Sequence, residues 1–90
     1  MRYEPRWTTD AVSDLRAIDA TSADRITRKV VWFCQQTNPL RHAEPLTGAY
    51  KGIFRFRVSD YRVLFKTDSQ GQVMILMVLR VKHRREVYRQ

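Results

Sequence analysis

The chain is poor in the residues that cross-link small secreted proteins and in the apolar runs that cross membranes. It has one cysteine, Cys34, among 90 residues, so no disulfide can form within it. Its longest apolar run, residues 73–79, is far shorter than the roughly 20 residues that a membrane-spanning helix needs. The N-terminus lacks the apolar core of a signal peptide. These absences predict a protein of the reducing cytoplasm with no membrane partner.

Glycine is also scarce, and the residue types that bind metal ions do not occur in clusters. With three glycines the chain has no glycine-rich phosphate loop, and no set of cysteines, histidines or carboxylates has the spacing of metal ligands. We therefore expect no metal and no cofactor. A length of 90 residues and a hydrophobic content of 43% predict one small domain with a compact core.

Acidic residues are scarce in one half of the chain only. Residues 1–45 hold seven Lys and Arg against six Asp and Glu, whereas residues 46–90 hold ten against three, a balance of +7. A surface charged only for solubility would mix both signs. The one-sided excess predicts a polyanionic partner, and RNA is the first candidate.

The first half of the chain predicts a strand and two helices. Residues 2–8 read as a strand, and Pro5 within it indicates an edge position or a bulge. Apolar residues then recur at helical spacing, with a break at residues 19–21 and a stop at residues 38–39. The expected helix caps are Thr9 or Asp10 for the first helix and Thr21 or Ser22 for the second.

The second half predicts three strands after a long polar connector, residues 40–52. The length of this connector suggests a loop with a functional role. Residues 53–58 and 61–67 alternate apolar with mainly basic side chains, and residues 73–81 are apolar on both sides, as in a central strand. The predicted fold is α+β, in the order β-α-α-β-β-β. Its small, mainly antiparallel sheet carries a helical hairpin on one face. The other face keeps the arginines, with no acid expected to compensate them.

Three segments together resemble the RelE/ParE superfamily, the toxins of bacterial type II toxin–antitoxin pairs. They are residues 45–48 (PLTG), 54–62 (FRFRVSDYR) and 83–88 (HRREVY). One segment alone would be weak evidence for the superfamily, and the three at this spacing together carry the resemblance. The resemblance covers nearly the whole chain and implies a single RelE-like toxin domain over residues 1–90.

Members of this superfamily act in two ways, and the resemblance favours the RelE-like branch. RelE-like enzymes enter the ribosomal A site and cut mRNA, using the RNA's own 2′-hydroxyl as nucleophile and no metal. ParE-like toxins share the fold and poison DNA gyrase. Both are neutralised by a cognate antitoxin, which implies a toxin–antitoxin hetero-oligomer. A non-catalytic RNA-binding module stays open as an alternative.

The resemblance implies a catalytic cluster in the second half of the chain. Its members are Arg57, Arg62, His83, Arg84 and Tyr88. All of these except His83 are expected to converge on one solvent-open surface. The reaction needs a base for the 2′-hydroxyl, cations for the pentacoordinate phosphate and an acid for the leaving 5′-oxygen. Which residue is base and which is acid stays open. Some relatives use a carboxylate as base, and Glu44 is the candidate for that role.

Six further basic residues are predicted to bind RNA. They are Lys51, Arg55, Lys66, Arg80, Lys82 and Arg85. Lys82 also competes with Arg84 for the position beside the leaving group. The alternative for the strand arginines is a solvated face with ion pairs to nearby acids. Cys34 is expected to be a small buried hydrophobic residue.

Overall fold

The computed structural model describes residues 2–87, and these form a five-stranded sheet with helices packed on one face. The strands are β1 (Arg2–Trp7), β2 (Glu44–Pro45), β3 (Phe54–Val58), β4 (Tyr61–Gln70) and β5 (Val73–His83). The helices are α1 (Thr9–Arg16), α2 (Ala20–Cys34) and α3 (Arg84–Val87). The predicted α+β class is confirmed. None of the helices within residues 2–87 is long and apolar enough to cross a membrane.

The sheet has the strand order β1-β5-β4-β3-β2, in which only the β1–β5 pair is parallel. The prediction of a central position for β5 is confirmed, as is the edge position of β1 that Pro5 indicated. The sequence did not predict β2, which pairs Glu44 with Arg55 and Pro45 with Phe54. A strand of two residues is too short to show any periodicity.

Both long helices begin earlier than predicted. The side chain of Thr8 accepts a hydrogen bond from the Ala11 backbone N–H at 3.2 Å, so Thr8 caps α1. The carboxylate of Asp19 accepts one from the Ser22 N–H at 2.8 Å and caps α2. The predicted caps at Thr9 or Asp10 and at Thr21 or Ser22 are therefore wrong. All four residues lie inside the first turn of a helix, because the capping residue is the last extended one before it.

The core lies between the helices and one face of the sheet. The rings of Phe33 in α2, Phe56 in β3 and Phe65 in β4 stack in sequence, with centroids 3.9 Å and 4.3 Å apart. Cys34 is buried at the end of α2, as predicted, and burial raises the pKa of its thiol to about 11. The thiol is therefore protonated and unreactive at neutral pH.

The long connector between α2 and β3 has structure of its own. Two short 3-10 helices, Pro39–His42 and Gly48–Tyr50, flank β2. The side chain of Asn38 accepts a hydrogen bond from the Leu40 N–H at 3.2 Å and caps the first of them. The connector thereby carries β2 alongside β3 and extends the sheet by one strand.

Candidate functional site

The sheet face that carries no helix presents basic side chains from three neighbouring strands. Arg57 of β3 pairs in register with Arg62 of β4, and Arg62 pairs with Lys82 of β5. Side chains of directly paired residues project to the same side of a sheet, so these three cations share one face. Arg55 lies two residues from Arg57 on the same strand and the same side. We call Arg55, Arg57, Arg62 and Lys82 the basic face.

An acid lies within the basic face, contrary to expectation. The carboxylate of Glu44 in β2 is 3.2 Å from Nη2 of Arg55 and 2.7 Å from Nε of Arg57. The hydrogen bond from Arg55, helped by the charges of Arg55 and Arg57, lowers the pKa of Glu44 below its ordinary value. Glu44 is therefore ionised at neutral pH. The sequence analysis missed this arrangement because it did not predict β2.

Arg62 is buried rather than open to solvent, with an exposed fraction of 6%. Its Nη1 donates to the carbonyl oxygens of Ser59, at 3.2 Å, and Tyr61, at 2.9 Å. Its buried Nε has no hydrogen-bond partner among residues 2–87. The guanidinium thus folds back onto the turn between β3 and β4, where Ser59 has a positive φ of 55°. The expectation of a solvent-open side chain is wrong for Arg62.

His83 lies on the other face of the sheet. It follows Lys82 directly, and alternation along a strand puts neighbouring side chains on opposite sides. Its ring meets that of Tyr61 edge to face, with centroids 5.5 Å apart. His83 lines a cleft of ≈ 270 Å³ beside α1, which Lys82 also borders. Alternation therefore separates it from the row of arginines with which it was grouped.

Arg84 begins α3 next to the turn between β3 and β4. Its backbone N–H donates to the carbonyl oxygen of Asp60 at 2.8 Å, and its Nε is 3.8 Å from the Asp60 carboxylate. Nζ of Lys82 is 3.7 Å from the carboxylate of Glu86 in the same short helix. The Arg84–Asp60 pair is exposed and the Lys82–Glu86 pair is partly exposed, and ion pairs that solvent can reach contribute little free energy, roughly 0–1 kcal/mol. A phosphate group can therefore displace these carboxylates from Arg84 and Lys82.

Of the other predicted site residues, Arg80 is the register partner of Leu64 and lies on the same side of the sheet as Lys82, but its guanidinium is held by α1. Arg80 forms a two-point contact with Asp14 of α1, through Nε at 2.8 Å and Nη2 at 3.0 Å. Lys51, Lys66 and Arg85 are exposed, and Lys66 continues the basic side of β4. Tyr88 lies outside the described residues. Within residues 2–87 no three His, Cys, Asp or Glu side chains are placed to hold a metal ion.

Comparisons with known proteins assign this chain to a protein family. The model of one protein family, the ParE toxin of the type II toxin–antitoxin system parDE, matches residues 6–88. The match spans nearly the whole chain. The chain therefore belongs to the ParE toxin family, within the RelE/ParE superfamily that the three sequence segments indicated.

Individual relatives agree with that assignment. Toxin RelG of Mycobacterium tuberculosis is 35% identical over 92 residues, which cover 99% of each chain. The toxin–antitoxin complex RelBE2 of the same organism contains a chain of similar structure. It has a TM-score of 0.67 and 33% identity, and the match covers 93% of this chain and 100% of that one. The YoeB/ParE toxin of Agrobacterium tumefaciens has a TM-score of 0.67 at 20% identity, over 92% and 98% of the two chains, and shows the shared fold.

Proposed function

We propose that this toxin is an endoribonuclease that cuts mRNA on the ribosome and so inhibits translation. The observation that carries the proposal is the ionised carboxylate of Glu44 set among the cations of the basic face. The 35% identical relative is named Toxin RelG, which favours the RelE-like branch. The reaction is attack of the RNA's own 2′-hydroxyl on the adjacent phosphate, and it requires no metal.

Arg57 and Lys82 supply the charge that this reaction needs. The phosphate gains negative charge as the 2′-oxygen bonds to it, and fixed cations stabilise that charge. The side chain of Arg57 is 57% exposed, so an RNA phosphate can reach it. A guanidinium binds two phosphate oxygens side by side and stays charged throughout the reaction. Arg62 supports this surface from beneath, through the turn between β3 and β4.

Glu44 is the proposed base. It accepts the proton of the 2′-hydroxyl as the new oxygen–phosphorus bond forms and the bond to the 5′-oxygen breaks. Its lowered pKa keeps it ready to accept a proton at neutral pH, but it also makes the carboxylate a weak base. Close positioning by the ribosome-bound substrate compensates for that weakness. Arg84 and Tyr88 keep the roles beside the leaving 5′-oxygen and the attacking hydroxyl that the family resemblance implies.

The proposed partners follow from the charge distribution. A cognate antitoxin with an acidic segment would cover the basic face and block RNA, since residues 46–90 carry a balance of +7. Similar solved structures include the RelBE2 complex and the RelE–RelB complex of Pyrococcus horikoshii. The latter shares the fold, at a TM-score of 0.64 and 19% identity. Action on translating ribosomes places the toxin in the cytoplasm.

Replacing Glu44 by Gln tests the proposal, because it removes the base and retains the shape of the side chain. We expect Glu44→Gln to bind RNA at least as tightly as the wild type, since a negative charge leaves the basic face. We expect its cleavage of ribosome-bound mRNA to fall by about 100-fold or more. The measurement is the rate of appearance of 2′,3′-cyclic phosphate ends on a defined mRNA.

Glu4→Gln is the matched control. Glu4 also contacts two arginines, Arg2 at 2.8 Å and Arg6 at 3.5 Å, but it lies on β1 at the far edge of the sheet. We expect this variant to cut like the wild type. Unchanged cleavage by Glu44→Gln would contradict the assignment of the base, and absence of cyclic ends in the wild type would contradict the nuclease itself.

A second candidate function is inhibition of DNA gyrase, because the family model that matches is that of the ParE toxin. This activity requires no base on the basic face. It predicts that purified toxin blocks supercoiling by gyrase and leaves ribosome-bound mRNA intact. The same two assays, run on one preparation, separate the two functions.

A further inference from the structure

His83 stands where β5 ends and α3 begins, and two hydrogen bonds join it to the first turn of that helix. The Arg85 backbone N–H donates to Nδ1 of the His83 ring at 3.2 Å. In return, the His83 backbone N–H donates to Oε1 of Glu86 at 3.2 Å. This resembles the reciprocal arrangement of a capping box, with histidine in the position that Ser or Thr usually takes, except that the side chain accepts from the second helical residue rather than the third.

Every helix begins with backbone N–H groups that have no partner within the helix. In α3 the Arg84 N–H donates to the carbonyl oxygen of Asp60 at 2.8 Å, and the Arg85 N–H donates to His83. A helix of four residues has little stability of its own. These contacts from outside the helix therefore decide whether α3 forms and where Arg84 points.

We propose that His83 is a positioning residue: its imidazole caps α3 and thereby holds Arg84 beside the turn between β3 and β4. The ring does not transfer a proton in the reaction. Its Nδ1 is occupied by the Arg85 N–H, and the ring lies on the sheet face opposite Arg57. The inference deepens the proposed function and rests on it only for the activity measurement.

The charged side chains that line the cleft beside the ring are paired with one another. The carboxylate of Glu86 accepts a hydrogen bond from the His83 backbone N–H and is 3.7 Å from Nζ of Lys82, and both side chains line the same cleft as His83. Across the shared cleft, the Asp14 carboxylate accepts hydrogen bonds from the Arg80 guanidinium and from the Val81 N–H. The remaining ionisable side chain that meets the ring is that of Tyr61, through its edge. A protonated Nδ1 would carry its own hydrogen and could no longer accept from Arg85.

Three substitutions separate a cap from a proton donor. Asn is a strong helix cap whose side-chain oxygen can take the place of Nδ1, but it cannot act as an acid or base near neutral pH. Ala cannot cap, and Gln places its oxygen one bond farther away. We expect His83→Asn to cut ribosome-bound mRNA within about threefold of the wild type. We expect His83→Ala and His83→Gln to lose about tenfold or more.

Two further readouts make the test independent of the nuclease assay. Amide hydrogen exchange at Arg84 and Arg85, measured by NMR on the full chain without RNA, should be faster in His83→Ala and close to wild type in His83→Asn. The pH–rate profile of His83→Asn should keep its shape near neutral pH. Loss of cleavage in His83→Asn together with wild-type amide exchange would overturn the proposal. Unchanged exchange in His83→Ala would overturn it whether or not the protein cuts RNA.

Discussion

At the scale of single residues, Arg62 shows that a charged side chain on the face without helices can still be buried. The alternation of β4 correctly predicted the side of the sheet on which Arg62 lies. It could not predict burial, because that depends on how the guanidinium folds back onto the turn beside it. The same limit applies to Arg57, whose exposed guanidinium meets a carboxylate from a strand too short to predict.

Replacing Arg62 by Ala should destabilise the fold. The change leaves the carbonyl oxygens of Ser59 and Tyr61 without their donor and opens a space inside the sheet. We expect a loss of about 1–3 kcal/mol in the free energy of unfolding, measured by urea denaturation. Arg57→Ala is the control, since Arg57 is the register partner of Arg62 but is exposed, and it should change stability by less than about 0.5 kcal/mol. Equal stability of the two variants would contradict this account of Arg62.

At the scale of secondary-structure elements, the sequence predicted which elements exist better than where they end. The apolar spacing of α2 and the two-sided apolar pattern of β5 each depend on many residues, so both elements could be predicted. The start of α2 depends on the cap at Asp19, whose carboxylate accepts a hydrogen bond from the Ser22 N–H, and no periodicity reports such a cap. The signal for α3 was present as His83-Arg-Arg-Glu86, the spacing of a capping box, but the histidine was interpreted as a catalytic group instead.

The attachment of α1 to the sheet depends on Asp14. β1 pairs with β5 only as far as Val78, and the Thr8 hydroxyl then donates to the Leu79 carbonyl oxygen at 3.0 Å, so within residues 2–87 the edge of β5 has no strand partner from residue 80 onward. The carboxylate of Asp14 closes it, accepting from Arg80 and from the Val81 N–H at 2.9 Å. Burial raises the pKa of Asp14, but the hydrogen bonds from Arg80 and Val81 outweigh this effect and lower the pKa below 3.8.

Replacing Asp14 by Asn should therefore cost stability in a pH-dependent way. We expect a loss of about 1–2 kcal/mol at pH 7, reduced from the full value of a charged hydrogen bond because Arg80 is partly exposed. The folded protein holds this carboxyl ionised more strongly than the unfolded chain does. Its stabilising effect is thus complete above pH 3.8 and is lost as the pH falls through the lower folded pKa.

The measurement is urea denaturation of both proteins at several pH values. The difference between wild type and Asp14→Asn should shrink on acidification below pH 3.8. Asp24→Asn is the control, because Asp24 forms an exposed pair with Arg28 on α2 and should cost little at any pH. A difference that does not depend on pH would show that the carboxylate charge of Asp14 is not what holds α1.

At the scale of the whole molecule, the three sequence segments were sufficient to predict the superfamily, and the spacing of apolar residues was sufficient to predict the α+β fold. The site was less predictable because it depends on pairing between distant segments. The sequence could not show that Glu44 would lie against Arg55 and Arg57, or that alternation would turn His83 away from them. Residues that the sequence placed in one cluster therefore lie on opposite faces of the sheet, and Glu44 of the connector lies among the arginines.

The most direct test of the central claim is primer extension on cellular mRNA after induction of the toxin, alongside its Glu44→Gln variant. If the basic face and Glu44 form a nuclease site, the wild type should produce cuts within translated codons, and the variant at equal expression should produce few or none. Intact mRNA in the wild-type strain, accompanied by a DNA-damage response, would contradict this account and indicate a gyrase inhibitor.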